Sequence, residues 1–589
     1  MKHLLLASVL LCGVCASSAL AARYGEIEVT LLPQAIPEGD AQTLTFQGYL
    51  EYRVLIRNHS AKRDHQVRII QPGNRSRMSH SHLQQNSRTI LSAHGTSVVV
   101  SLFQPPIPTF DSSIAIDIDG IRQEALLPAR SSRTGGYFSN TRPVLAVLAG
   151  RGIPQSWKDD VVTATSNGVL FFRSELPVSE WSSNWLGYTS YDAVVLTSAE
   201  VDTLPADVLV ALQSFAQAGG TIMIYSPRGI PTEIIPERLK TANSSRNTDG
   251  TMGVGFGRIG IATDGMGWPG TNAMEWPGTL WVTRTKSDSP PGNYIIRLVH
   301  ESQVPVRGML LLVVLFALGI GPLNVWWLSR RKKKMWLWWN VPLFSMLTCL
   351  MIFTYSLLSE GVRGESRTVL LTLLDEDAHR ATSLGYVSYY CPLTPSDGLH
   401  FPYDTEVIPL DENRDYNRWS GSPESGQPKT IDWTNDQHLI SGWLPARVSA
   451  CFAIRRNETR RERLVFHNTG DGGLKVVNGL GAELQTLHYL DENGVLYQGS
   501  DVPMGQEVQL KKVTSDVAHL PEALQQVYRQ NWDFSIGDMR STPEKYLRKG
   551  SYIAVLQGSP FMEASLKKTR QNGNFSLVYG LSAGAKHGH

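Results

Sequence analysis

The chain has 589 residues and a formal net charge of +2, because 55 Lys and Arg residues are nearly balanced by 53 Asp and Glu residues. This length allows about three or four domains, each with its own core. We expect no nucleic-acid partner, because such a small net charge does not provide the basic face that nucleic acids require.

The first 22 residues have the features of a secretory signal peptide. Lys2 and His3 precede an apolar run at residues 4–16, and Ala-Leu-Ala at 19–21 fits a cleavage site. We therefore predict residues 1–22 to be a signal peptide. If the segment stays uncleaved, the chain from Arg23 onward still faces outward.

Residues 23–135 alternate apolar and polar side chains. The alternation is clear at 27–31, 49–56 and 97–102, and Asp119-Gly120 fits a hairpin turn. About seven short strands over this length predict an immunoglobulin-like β-sandwich.

The pattern changes over residues 140–265. Continuous apolar runs at 144–148, 193–196 and 221–225 are typical of buried parallel strands, and residues 203–220 predict a capped helix between two of them. We expect a doubly wound α/β domain.

A Gly-x-Gly-x-x-Gly pattern at 255–260 suggests a dinucleotide site only where it joins a strand to a helix. Here it follows a polar loop and precedes a region rich in Pro and Gly. We therefore predict a glycine-interrupted strand and no cofactor.

After a linker at 266–305, residues 306–358 predict a transmembrane hairpin. Its helices cover about 309–328 and 337–358, each long enough for a ~30 Å hydrocarbon layer, and the loop 329–336 is expected in the cytoplasm because of its cations. The predicted membrane-interface residues are Trp326, Trp327, Arg330, Arg331, Lys332, Lys333, Lys334, Trp336, Trp338 and Trp339.

Two amides lie within the predicted hairpin. Asn324 and Asn340 are expected at similar depth on opposite helices, where an amide pair contributes ~0.6 to 2 kcal/mol. Neither apolar core contains Asp, Glu, Lys, Arg or His, so the sequence supports no ion pathway.

Residues 366–589 are predicted to be β-rich and sandwich-like, with a long polar loop at 411–427. Cys391 and Cys451 would lie in an oxidising compartment. They could form a disulfide or remain as two buried thiols, because sequence does not give their separation.

Parts of the chain resemble known proteins. Tyr191-Asp192-Ala193-Val194-Val195-Leu196 and residues 218–224 are similar to the central part of class I glutamine amidotransferase-like domains. Gly321-Pro322-Leu323-Asn324 and Trp339-Asn340-Val341-Pro342 resemble a family of uncharacterised bacterial envelope proteins. That resemblance implies an α/β domain, a two-helix anchor and a β-rich tail, without an established reaction.

No catalytic, cofactor-binding or metal residue is predicted. Ser226 follows a strand, but the α/β domain contains no Cys or His to support an active amidotransferase. His80 and His82 have no evident third ligand, and Asp375-Glu376-Asp377 reads as a solvated turn.

The sequence therefore predicts a non-catalytic scaffold or accessory subunit of a bacterial envelope complex. It would be a two-pass inner-membrane protein with both extramembrane regions in the periplasm, and its partners would be the lipid bilayer and envelope proteins. One alternative is a carbohydrate-binding or other ligand-binding protein that uses Tyr403, Trp419 and Trp433. The other is a hydrolase or amidotransferase.

Overall fold

The computed structural model of the protein describes most of the chain. The described residues are 20–33, 35–37, 48–73, 83–107, 113–123, 127–128, 145–164, 169–226, 245–246, 251–262, 306–330, 336–360, 364–410, 427–469, 473–513, 539, 541–567, 569–571 and 573–582. Within them the protein is a mixed α/β structure dominated by strands, which lie in four sheets. Of the predicted signal peptide, residues 1–19 lie outside the described residues, and residues 20–22 belong to the first strand.

The first sheet is antiparallel and built from the N-terminal region. Side chains of strand Leu50–Asn58 alternate between the core and the surface, so that Tyr52, Val54 and Ile56 are fully buried. The strands, in spatial order, are Leu20–Tyr24, Ile27–Leu31, Leu50–Asn58 and Ser97–Gln104.

The second sheet, here called the shared sheet, contains strands from before and after the two helices at 306–360. Strand Lys429–Asp432 pairs in parallel with strand Leu83–Ser92 of the N-terminal region. The spatial order is Leu127–Pro128, Ser113–Ile118, His65–Pro72, Leu83–Ser92, Lys429–Asp432, Gln437–Ser441 and Leu399–Phe401, and Ile121–Arg122 pairs with Ser113–Ile118. Three strands that follow residue 360 in the sequence thus extend a sheet of N-terminal strands.

The third sheet has five parallel strands at its centre, and three of them are the strands that the continuous apolar runs predict. Their spatial order is Gly257–Ala262, Thr221–Tyr225, Ala193–Thr197, Leu145–Ala149 and Val169–Arg173. Antiparallel edges are added by Ser245–Arg246 and Met252–Val254 on one side and by Ile36–Pro37 on the other. The helices of this region are Gln155–Ala164, Ser198–Asp202 and Ala206–Gln217, with 3-10 turns at Val178–Glu180 and Trp185–Tyr188.

The Gly-x-Gly-x-x-Gly segment is a β-hairpin. Gly255 has a φ of +60° at the turn between strands Met252–Val254 and Gly257–Ala262. The predicted strand is present at Gly257–Ala262, and the first glycine of the pattern, Gly255, lies in the turn before it.

The two apolar segments are helical, and the first is interrupted. Val306–Leu318 and Asn324–Arg330 are α-helical, whereas Gly319–Leu323 between them is a π-helix that contains Pro322. Proline has no N–H to donate, so the regular ladder of hydrogen bonds breaks there. The second helix is Leu337–Glu360. We call these segments together the helical pair.

The predicted transmembrane hairpin is not supported as such. Across the portion of the chain that the structure describes, no helix combines the length and the apolar character needed to cross a membrane.

The fourth sheet contains twelve strands and begins immediately after the helical pair. Glu365–Asp375 lies near its centre, antiparallel to Arg380–Tyr390 and parallel to Phe575–Leu581. The spatial order is Thr405–Leu410, Ala450–Thr459, Arg380–Tyr390, Glu365–Asp375, Phe575–Leu581, Ser551–Gln557, Leu484–Leu490, Leu496–Val502, Glu507–Val513, Leu474–Gly479 and Arg463–Asn468, and Arg570–Gln571 pairs with Glu365–Asp375. Pro543–Lys545 is a 3-10 turn.

Buried polar contacts link the sheets to one another. The Tyr49 hydroxyl donates to the carbonyl of Val407 at 3.0 Å, and the Tyr49 amide donates to the Thr189 hydroxyl at 2.7 Å. The Asn457 amide donates to the Gln217 side chain at 2.8 Å. One hydrophobic core accordingly includes side chains from the first three sheets and from strands of the fourth. We call this assembly of sheets the body.

Candidate functional site

The helical pair exposes large apolar side chains that a soluble surface seldom carries in such density. Trp338 and Trp339 are 86% and 81% exposed. The other exposed large apolar residues of the pair are Leu310, Val313, Val314, Leu315, Leu318, Leu323, Val325, Trp326, Trp327, Trp336, Leu343, Phe344, Met346, Leu347, Leu350, Met351 and Phe353. The pair therefore contributes a large apolar surface without a covering element in the described residues.

Tryptophans and a cation lie at the end of the first helix and the start of the second. The Arg330 guanidinium lies 4.4 Å from the centre of the Trp326 ring, a cation–π contact. Trp327 and Trp336 are also exposed. The predicted interface residues Arg331, Lys332, Lys333 and Lys334 lie outside the described residues.

The structure brings the two predicted membrane amides together. The side-chain amide of Asn340 donates to the side-chain oxygen of Asn324 at 3.4 Å. Asn324 is 4% exposed, in contrast to its apolar neighbours. The polar groups thus face the partner helix while the apolar groups face outward.

The two cysteines considered for a disulfide are free thiols in buried positions. The Cys451 thiol donates to the Ser388 hydroxyl at 3.2 Å, and burial raises the pKa of the Cys391 thiol. Of the two alternatives left open by the sequence, the structure has the pair of buried thiols and no disulfide.

The acidic segment after strand Glu365–Asp375 differs from its prediction. Asp375 and Glu376 are 7% and 6% exposed, so the predicted solvated turn is wrong for these two residues. Glu376 accepts hydrogen bonds from the Leu464 amide at 3.0 Å and the Tyr552 hydroxyl at 2.8 Å. These donors satisfy the carboxylate in the interior and link the end of Glu365–Asp375 to two strands that are not its neighbours in the sheet, Ser551–Gln557 and Arg463–Asn468.

The remaining residues weighed from the sequence are buried, half-buried or outside the described residues. Ser226 is 5% exposed, and Trp433 is completely buried. The Tyr403 hydroxyl donates to the Trp433 carbonyl at 2.6 Å, which anchors the segment around it. His80, His82 and Trp419 lie outside the described residues.

A cluster that the sequence did not reveal lies at the edge of the shared sheet. His400 and His438 are Cα partners in the antiparallel pairing of Leu399–Phe401 with Gln437–Ser441. Because side chains alternate along a strand, Leu399 and Leu439 face the core and the two imidazoles lie on the other face. The rings stack with centroids 4.0 Å apart.

Two carboxylates flank these imidazoles. Asp436 Oδ2 lies 2.8 Å from His400 Nδ1, and Asp397 Oδ1 lies 3.5 Å from His400 Nε2. The Asp397 carbonyl oxygen lies 2.8 Å from His438 Nε2. One ligand atom each from Asp397, His400 and His438 lies within 4.8 Å of the others, a spacing that could hold a metal ion.

A lysine completes the cluster on the solvent side. Lys567 Nζ donates to Asp397 Oδ2 at 2.7 Å. This hydrogen bond, with a smaller contribution from His400, holds the pKa of the Asp397 carboxyl below its usual range. Asp397 is therefore an anion at neutral pH.

The sequence contains a weak signal for this cluster. In Leu399-His400-Phe401 and Gln437-His438-Leu439, a histidine stands between residues that face inward. The pattern places each imidazole on an outer face, but only the pairing of the two strands brings the imidazoles together.

Comparison with known proteins adds no assignment. No family model matches this chain, and no curated protein matches it significantly.

Proposed function

We propose that the protein is a non-catalytic scaffold or accessory subunit of a bacterial envelope complex, held at the inner membrane by the helical pair. The observation that carries this proposal is the outward-facing apolar surface of the pair, with Trp338 and Trp339 more than four-fifths exposed. Burying such side chains in hydrocarbon gains ~25 cal/mol per Å² of apolar area.

A bilayer fits this surface better than a protein groove. Apolar residues are exposed along both helices, and the tryptophans gather near Arg330, where indoles and cations settle at a headgroup layer. The cationic run at 330–334 follows directly in sequence and suits anionic lipid headgroups.

The organisation of the body supports a scaffolding role. The chain leaves the body into the helical pair and returns to supply Lys429–Asp432 to the shared sheet. Because the helical pair is inserted between two parts of the chain that belong to the same body, binding of the pair to a membrane would hold the body close to that membrane. We also propose that the five-stranded parallel sheet belongs to a degenerate amidotransferase-like domain, and that the first two sheets form an immunoglobulin-like sandwich.

The test of the scaffold proposal is purification of the tagged full chain from bacterial membranes in mild detergent. We expect stoichiometric envelope proteins to co-purify, and an untagged strain serves as the control. A strictly monomeric protein without specific partners would contradict the proposal.

Orientation is tested separately with single cysteines introduced at exposed positions of a chain whose own cysteines are replaced by Ala. Leu91→Cys and Met504→Cys lie in the regions proposed to be periplasmic, and Ser329→Cys lies next to the cationic run. In intact spheroplasts, a membrane-impermeant maleimide should label the first two variants and spare Ser329→Cys. Equal labelling of all three would exclude the proposed topology.

The alternative functions retain little local support. Of the aromatics considered for carbohydrate binding, Trp433 is buried and Tyr403 anchors it. Ser226, the serine considered as a nucleophile, is also buried.

A further inference from the structure

We propose that Asp397, His400 and His438 form a binding site for a divalent transition metal, with Zn²⁺ as the best-fitting ion. Two imidazole nitrogens and one carboxylate oxygen are a donor set that zinc uses, with a fourth position left for water. Mg²⁺ and Ca²⁺ prefer sites made of oxygen ligands alone.

Asp436 prepares His400 for this role. Its carboxylate lies 2.8 Å from His400 Nδ1, so Nδ1 carries the proton and the lone pair is placed on Nε2. A carboxylate on the far nitrogen of a histidine ligand is the usual outer partner in metal sites, where it orients the ring and increases its basicity. His400 Nε2 is buried, and the group that faces it is Asp397 Oδ1 at 3.5 Å, longer than a usual hydrogen bond.

The distances need a modest local adjustment. Zinc bonds of about 2.0 to 2.2 Å place tetrahedral ligand atoms about 3.3 Å apart. The pair formed by Asp397 Oδ1 and His400 Nε2, at 3.5 Å, already meets this spacing. The three ligand atoms lie within 4.8 Å of one another, so one nitrogen of His438 must move closer to the other two where its separation exceeds about 3.3 Å.

The required movement lies at the surface. The imidazole planes are inclined by 15°, whereas in-plane lone pairs that meet at one ion require the rings to tilt further apart. His400 is 31% exposed at its side chain, and Leu399 beneath it is fully buried. The rings can therefore turn without repacking the core.

Lys567 is the competitor for the metal. Its ammonium bonds the Asp397 carboxylate, and both side chains are well exposed at 78% and 54%. An exposed ion pair contributes little stability, so an incoming dication can displace the ammonium. Metal binding would then fasten the turn containing Asp397 to the two outer strands of the shared sheet, Gln437–Ser441 and Leu399–Phe401.

Binding is tested by dialysing the full chain in detergent against Zn²⁺ after treatment with a chelator, followed by metal analysis and calorimetry. We expect one Zn²⁺ per chain. His400→Ala and His438→Gln should each weaken binding at least 100-fold, and Asp436→Asn should weaken it 10- to 100-fold.

The variant Lys567→Met distinguishes a metal site from a cluster held together only by ion pairs. If the cluster binds metal, removing the competing ammonium should tighten Zn²⁺ binding several-fold. The matched control is His94→Ala, which removes another exposed histidine paired with a carboxylate, Asp64, and should leave binding unchanged.

Binding at the terminal His587 and His589 must be distinguished, and replacing both with Ala provides that background. The proposal is overturned if no stoichiometric Zn²⁺ binds. It is equally overturned if His400→Ala and His438→Gln bind Zn²⁺ like the parent while retaining its thermal transition.

Discussion

Trp433 lies where the N-terminal strands contact the segment that follows the helical pair. Its ring centre is 6.0 Å from that of Tyr49, 5.4 Å from that of Phe103 and 6.2 Å from that of Tyr403. Its backbone amide also donates to the Ser87 carbonyl at 2.7 Å. A residue from beyond the helical pair therefore fills the core of the N-terminal sheets.

Replacing Trp433 with Ala should lower the free energy of unfolding by about 3 to 5 kcal/mol, because a large aromatic side chain is removed from a packed core. Leu91→Ala is the control, since Leu91 is 71% exposed and its loss should change stability by less than about 0.5 kcal/mol. Urea unfolding followed by circular dichroism measures both variants. Equal stability of the two would mean that Trp433 does not fill this core.

His65 makes the stability of the N-terminal region depend on pH. Its ring nitrogens lie 2.7 Å from Asp119 and 3.1 Å from Glu26, and these hydrogen bonds raise the pKa of the imidazole. The folded state therefore holds the proton more tightly than the unfolded chain, whose histidine has a pKa of about 6.5. This stabilisation is complete below about pH 6.5 and is lost as pH rises through the folded-state pKa.

His65→Gln should therefore remove part of the loss of stability that occurs as the pH rises above about 6.5. Thermal unfolding at several pH values measures it. Asp119→Asn removes the larger of the two causes and should have a similar effect. A stability profile identical to that of the parent in both variants would show that the His65 pair does not contribute.

Sequence reasoning found some important residues and missed others for a physical reason. Asn324 and Asn340 stand out because amides are rare in apolar helices, and their positions in a hairpin imply contact. His400 and His438 are ordinary surface residues until Leu399–Phe401 pairs with Gln437–Ser441. Their chemistry depends on strand pairing across a loop, which local patterns do not encode.

At the scale of elements, the hydrophobic pattern predicted strands well where both faces of the strand are buried. Ala193–Thr197 and Thr221–Tyr225 are the buried parallel strands that their apolar runs indicate. Pairing between distant elements was not predictable, because nothing local in Lys429–Asp432 indicates Leu83–Ser92 as its neighbour. By contrast, the interruption of the first helix at Gly319–Leu323 has a local signal, because Pro322 lies within the apolar run.

The parallel pairing of Leu83–Ser92 with Lys429–Asp432 can be tested by an engineered disulfide. Ser87 and Asp432 are Cα partners, and their side chains hydrogen bond at 3.0 Å. Neighbouring strands lie about 4.8 Å apart, which falls within the range that a disulfide bridges. Ser87→Cys combined with Asp432→Cys should form the bond on mild oxidation, detected as a linked peptide pair by mass spectrometry.

The control for this cross-link is Ser87→Cys combined with Ser500→Cys, because Ser500 lies in the twelve-stranded sheet and pairs with Thr486. This pair should remain reduced. Equal cross-linking of both pairs, or none in the first, would contradict the shared sheet.

At the scale of the whole molecule, the helical pair stands apart from the body in its chemistry. The body buries its apolar side chains in a core that joins distant parts of the chain. The pair instead exposes aliphatic and indole side chains and buries an amide contact between its helices. This inversion of the usual pattern is the physical basis for proposing a lipid environment.

The most direct test of membrane attachment is flotation of the purified chain with liposomes of bacterial lipid, beside a variant in which residues 306–360 are replaced by a flexible Gly/Ser linker. We predict that the full chain floats with the liposomes and resists alkaline extraction, whereas the variant stays soluble and retains the thermal transition of the body. A full chain that is monodisperse without detergent and remains at the bottom of the gradient would contradict the account.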